Sequence, residues 1–169
     1  IEGYPSPDFC RLVLEVRPAQ VTLVPDDPAQ LTSNHGWDAE RHARFLSEVI
    51  EPFRRAGIRT SVFIDADPRQ ARAAARTGAD RIEMYTEPYA AGYATDREAA
   101  IAPFSETAAA ARAAGLGVNA GHDLSLENIG WFHQCIPAVD EVSIGHALIC
   151  EALYLGLEET IRRYRQLLA

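Results

Sequence analysis

Lysine is absent from this chain, and all sixteen of its basic residues are arginine. No residue of the sequence can therefore form the lysine Schiff base that serves much carbonyl chemistry, so any imine must draw its amine from a substrate or from outside this sequence. Long apolar runs are also missing, which leaves no candidate membrane span, and no stretch resembles a signal peptide. Cysteine is scarce: Cys10, Cys135 and Cys150 are odd in number, widely spaced and set in apolar surroundings. That pattern suggests buried reduced thiols in a cytosolic protein, not a disulfide framework. Metal spacings such as HxxxH or CxxC do not occur, nor does a nucleotide-type glycine loop. Basic excess is lacking too. The net charge of −8 argues against nucleic-acid binding and suits a soluble cytoplasmic protein. An anionic substrate would need local backbone dipoles and a few arginines.

What is present is an alternation of strand and helix over 169 residues, enough for a single domain spanning 1–169. Ser6-Pro7 reads as an N-cap with proline at the first helical position, and Asp67-Pro68 repeats that signal. Between them lie an apolar strand over 20–25 and a helix from about Asp38, with Phe45, Leu46, Val49, Ile50 and Phe53 on one face. Strands are expected at 59–64 and 81–86, and Thr95 with Glu98 forms a capping box for a helix to Ala114. Two further strands end in glycine–histidine pairs, Gly121-His122 and Gly145-His146. The last helix is expected from Ala147 to Leu168.

Successive β/α units imply a parallel sheet with right-handed crossovers, either open and doubly wound or closed as a TIM (β/α)₈ barrel. Strand parity favours the barrel. With Ile82 and Met84 toward the helices, Glu83 and Tyr85 point the other way, as do Asn119, Gly121, Ser143 and Gly145. A polar interior spread over several strands suits a barrel lumen better than an open sheet buried on both faces. Five complete strands and a stub at 1–3 fall short of eight, so about two β/α units of roughly 30 residues each are expected ahead of Ile1.

Candidate chemistry gathers at strand ends. Glu2, at the tip of the stub, could act as a general base; a solvated glutamate is the rival reading. Glu83, mid-strand, should be buried. It then needs an arginine or hydrogen-bond partner, or its raised pKa serves catalysis. His122 is placed as a general acid or base, against a core histidine bonded to backbone. The polar loop over 26–38 offers Thr32 and Ser33 hydroxyls, with Asp38 better read as a cap. Gly145 and His146 open the final helix, where exposed amides and the positive helix end suit a phosphate.

These segments together resemble the pyridoxine 5′-phosphate synthase family. The resemblance is carried by Ile1-Glu2-Gly3-Tyr4-Pro5, VTLVPDDPAQLTSNHGWD (21–38), SVFIDADPRQ (61–70), GADRIEMYTEPYA (78–90), GLGVNAGHDLSLEN (115–128) and EVSIGHALICEALYLGLEETIRRY (141–164). It implies condensation of 1-deoxy-D-xylulose 5-phosphate with 3-amino-2-oxopropyl phosphate, by acid–base catalysis with neither cofactor nor metal. The substrate's own amine would form the imine, in keeping with the missing lysine. Glu2 matches the family's proton acceptor, His122 its proton donor, and Glu83 a carboxylate that stabilises a transition state. Thr32 matches a contact to the deoxyxylulose phosphate. Gly145, His146 and the backbone at Asp123 match the aminoketone phosphate site. Many family members have glycine at position 123, so the aspartate is a departure; its carboxylate would repel phosphate, which leaves the amide as the expected contact.

The family's Asn/Asp/His cluster on its first strand, and a His/Arg group after its second, map to nothing in this sequence. The chain alone is accordingly expected to be inactive and not to close its barrel. The resemblance further implies a homo-oligomer. Two other readings remain: a different sugar-phosphate lyase or isomerase barrel, and a non-catalytic truncated barrel.

Overall fold

Helix caps and strand parity, both local properties, set the element order. In the computed structural model, which describes residues 1–26, 30 and 32–169, the order begins with β1 (Glu2–Gly3), α1 (Pro7–Val16), β2 (Gln20–Leu23), α2 (Ala43–Arg55) and β3 (Arg59–Ile64). It continues through α3 (Pro68–Arg76), β4 (Arg81–Tyr85), α4 (Glu87–Ala113), β5 (Gly117–Gly121), α5 (Ile129–Cys135), β6 (Glu141–Ser143), α6 (His146–Leu155) and α7 (Leu157–Leu167). The Ser6 side chain accepts from Phe9 N and that of Asp67 from Arg69 N, each ahead of a proline that has no amide to leave unpaired.

All six strands run parallel in the order β1-β2-β3-β4-β5-β6. Side-chain contacts show how strongly this sheet curls. Arg59 on β3 holds both carboxylate oxygens of Glu141 on β6, at 2.7 and 2.9 Å. Three flat strand spacings would separate these strands by roughly 14 Å. Thr22 on β2 likewise reaches past β3 to Glu83 on β4. The fold is a partial (β/α)₈-type barrel, six strands curved around a polar lumen.

The alternation predicted for the strands holds. Val21, Leu23, Val62, Ile64, Ile82, Met84, Val118 and Ala120 are buried in the main core between sheet and helices. Val24, Phe63 and Tyr85 form a separate small cluster on the inner face. Burying each large aliphatic or aromatic side chain contributes about 1.5–3 kcal/mol. Outside the sheet, Tyr89, Phe104 and Phe132 meet edge to face, with ring centroids 5.1–5.9 Å apart.

Four expectations are corrected. Helix α2 begins at Ala43, because Asp38 closes a turn by accepting from Arg41 N at 3.0 Å. Helix α4 starts at Glu87 and breaks at Asp96, whose extended backbone and bond from Ala99 N make it the cap in place of Thr95. The single last helix is two, divided at Gly156 with φ +83°. Cys150 is exposed, while Cys10 and Cys135 are half-buried. No helix among the described residues is long and apolar enough to cross a membrane.

Candidate active site

The strands deliver their polar residues to one end of the lumen. Glu2, Thr32, Glu83, His122, Asp123, Gly145 and His146 all line a single cleft of about 1040 Å³, whose wall Phe63, Ser143 and Ile144 complete. A shallower apolar depression of about 830 Å³ follows α7, lined among others by Leu157, Ile161 and Arg165. It has neither a histidine nor a buried acid.

Glu83 is only 2% exposed, and among the described residues no cation lies within ion-pair distance of it. Its partners are hydroxyls. Thr22 Oγ1 donates to Oε2 at 3.2 Å, and Ser143 supplies a second hydrogen bond. Burial, reinforced by the charge of Glu2, pushes the carboxyl up to about 7 despite those two donors. The ion-pair reading of this residue is thereby replaced by the hydrogen-bonded, raised-pKa one. Gly121 makes the room: a Cβ there would lie 2.6 Å from Glu83 Oε1 and 2.9 Å from Ser143 O.

Glu2 pairs in register with Thr22 at the open edge of the sheet. The residue is solvent-accessible, yet its carboxyl also titrates above the ordinary range. Burial of that group is the main cause; attraction by His122 opposes it and repulsion by Asp26 adds to it. The cleft thus holds two acids that retain protons more readily than free glutamate.

His122 follows β5 with φ +92°, a left-handed conformation rare outside glycine. Such backbone costs on the order of 1–3 kcal/mol and persists where surrounding contacts impose it. Here its amide donates to Ser143 O at 3.1 Å, and its ring packs edge-on to Tyr85 at 5.8 Å. Nε2 lies 2.9 Å from Thr32 Oγ1, and Nδ1 lies 2.9 Å from Asp123 Oδ2.

Thr32 reaches His122 because its loop is pinned further on. Trp37 N donates to Phe63 O, Trp37 Nε1 to Leu23 O, and Gly36 N to Asp65 Oδ1. Only glycine fits at 36, where a Cβ would come within 2.2 Å of the backbone at Ile64 and Asp65. Ser33 donates to Asp26, and His35 bonds Asn34 away from the cleft. Residues 27–29 and 31 of the predicted loop lie outside the described residues.

At the far side Gly145 caps α6 and His146 begins it, both exposed; a Cβ on Gly145 would meet nothing within 4 Å. The first-turn amides of a helix lack intrahelical partners, so this edge can receive an anion. The Asp123 amide cannot serve as freely as expected, since it donates to Thr86 Oγ1 at 3.0 Å. Its carboxylate faces His122 instead.

Sequence reasoning did not foresee Thr22, Ser143 and Tyr85 as partners of the cleft's acids and histidine. Parity placed Ser143 and Tyr85 on the inner face; pairing them with Glu83 and His122 required the strand register.

The model of the family described as "Pyridoxal phosphate biosynthesis protein PdxJ" matches residues 1–169. The pyridoxine 5′-phosphate synthase of Bacteroides thetaiotaomicron is 63% identical over 168 residues, covering 99% of this chain and 71% of that protein. Its counterpart from Porphyromonas gingivalis is 57% identical over 169 residues, covering 100% and 71%. Among solved structures, the Amycolatopsis orientalis BexX/CysO complex aligns with TM-score 0.61 at 18% identity, covering 94% of this chain and 57% of that one. The citrate synthase SbnG aligns with TM-score 0.59 at 15% identity, covering 99% and 73%. At such identities the structural likeness concerns the fold alone.

Proposed function

Because this chain belongs to the PdxJ family of pyridoxal phosphate biosynthesis proteins, with pyridoxine 5′-phosphate synthase as its function, we propose that Glu2, Glu83 and His122 carry its acid–base chemistry. The observation behind this reading is their common cleft. Condensing 1-deoxy-D-xylulose 5-phosphate with 3-amino-2-oxopropyl phosphate joins a substrate amine to a carbonyl carbon and expels water. Later steps move protons between carbon and oxygen and release phosphate and water. Each transfer needs a group that can both hold and yield a proton near neutrality.

Glu83, titrating at about 7, is such a group: protonated it donates a hydrogen bond, ionised it accepts a proton. Glu2 is the proton acceptor, its reach into solvent allowing the proton to leave. His122 Nε2, facing Thr32, is the donor. Thr32 binds the deoxyxylulose phosphate. Gly145 and His146, at the start of α6, take the aminoketone phosphate, with Asp123 bordering the same edge. A cleft of about 1040 Å³ has room for two small phosphorylated molecules.

The same reading makes residues 1–169 one partial barrel domain, acting in the cytoplasm within a homo-oligomer.

A synthase assay on the full-length protein with both substrates tests the assignment. Glu2→Gln and His122→Ala should each lower turnover by about 10²–10⁴-fold with the fold intact. Full activity in either variant removes that residue's role.

A further inference from the structure

The imidazole of His122 is gripped at both nitrogens. Asp123 Oδ2 lies 2.9 Å from Nδ1, and Thr32 Oγ1 lies 2.9 Å from Nε2. We propose that Asp123 is a positioning residue for His122, holding the ring proton on Nδ1 so that Nε2 is the nitrogen presented to the cleft. This rests on the reading of His122 as an acid–base group. It departs from the expectation that position 123 contacts phosphate through its amide.

Three observations carry it. First, an ionised carboxylate only accepts hydrogen bonds, so the nitrogen facing it must bear the proton. In the neutral ring Nε2 is then an acceptor aimed at the Thr32 hydroxyl, and when protonated the same nitrogen donates. Second, Asp123 is itself fixed. Its amide donates to Thr86 Oγ1 at 3.0 Å, and its carbonyl accepts from Asn128 Nδ2 at 3.2 Å. Thr86 and Asn128 are both buried; Thr86 also donates to Gly121 O, and Asn128 Oδ1 accepts from Ser125 N. The turn after β5 is therefore a rigid mount for the carboxylate.

Third, His122 occupies its left-handed φ of +92° directly beside that mount. A histidine in ordinary strand geometry would direct its ring elsewhere. The strained backbone turns the ring toward the Tyr85 ring edge and the Asp123 carboxylate, which hold it from two sides. A carboxylate behind a histidine fixes its tautomer and compensates the imidazolium as it forms.

The test is ¹⁵N NMR on histidine-labelled full-length protein at pH about 8.5, where imidazoles are ordinarily neutral. The His122 signals are identified by their loss in His122→Ala. The wild type should show the Nδ1–H tautomer. Asp123→Ala should shift the ring toward Nε2–H and lower kcat about 10–100-fold, with KM for both substrates within about threefold. Asp123→Leu, which keeps the size but can accept no hydrogen bond, replaces it if the alanine variant does not fold. A wild-type ring in the Nε2–H form overturns the proposal, as does a tautomer indifferent to the substitution or a kcat that does not fall. Full activity in His122→Ala would remove the role of His122, yet the tautomer would still decide whether Asp123 fixes the ring.

Discussion

At the N-terminal end of the lumen, Arg59 and Arg81 meet acids and amides. Arg59 holds Glu141 with two bonds and Gln20 with a third, and Arg81 reaches Asn119 at 2.8 Å and Asp140 at 3.5 Å. Arg112 closes on Asp140 from outside at 2.9 Å. At the C-terminal end, among the described residues, Glu83 has hydroxyls alone for partners, and Glu2 has a histidine nearby as its main attraction. One lumen thus contains neutralised charge at its base and uncompensated acid at its mouth. Paired ions resist changes of protonation, whereas acids deprived of cations titrate where chemistry needs them. The base fastens the curled sheet; the mouth holds acids that keep their protons above the ordinary carboxylate range.

The sharpest way to break this contrast is to remove the titrating proton. Glu83→Gln keeps shape and hydrogen bonding but cannot ionise, and should lower turnover by about 10²–10⁴-fold. Its stability should move the other way. The folded state keeps the Glu83 proton until about pH 7, whereas the unfolded chain releases it near 4.5. The favourable contribution is therefore complete below pH 4.5 and lost as pH rises through 7. Chemical denaturation should show wild-type stability declining across that window by on the order of 3 kcal/mol. Glu83→Gln should flatten the decline.

A smaller effect follows from crowding the acid. In Gly121→Ala the new methyl would lie 2.6 Å from Glu83 Oε1 and 2.9 Å from Ser143 O, so the carboxyl must shift. Overpacking of this kind costs about 1–3 kcal/mol, and turnover should fall with it. The smallest effect belongs to the base. The Arg59–Glu141 pair is 36% and 43% exposed, so Arg59→Leu should cost about 1 kcal/mol in a denaturant titration. The pH profile of turnover should move only slightly and upward, because Glu141, freed of Arg59, is the weakest of the charges that raise Glu83. A large change would mean that the two ends are strongly coupled.

Much of this was legible in the sequence because it is written locally. Alternation along 81–85 put Ile82 and Met84 in the core and Glu83 inside the lumen, and the caps at Ser6 and Asp67 marked helix starts at Pro7 and Pro68. The candidate residues share a cleft because they lie on the inner face of one parallel sheet or follow its strands, so their side chains converge on the same lumen. What escaped depends on curvature and register. The Arg59–Glu141 pair spans 82 residues and exists only because the sheet curls. The Thr22–Glu83 bond skips a strand for the same reason. The helical turns over 87–95 precede the helix start expected at Thr95, and Gly156 divides what was expected as one last helix. The role of the Asp123 side chain was hidden because a histidine with positive φ turns its ring back on its neighbour, which no periodicity reports.

Among the described residues, the mouth of the lumen leaves Glu83 without a cation. A ¹³C titration of glutamate-labelled protein, with the Glu83 carboxyl identified by its loss in Glu83→Gln, measures this directly. The midpoint should lie close to 7. A midpoint in the ordinary carboxylate range near 4.5 would contradict it.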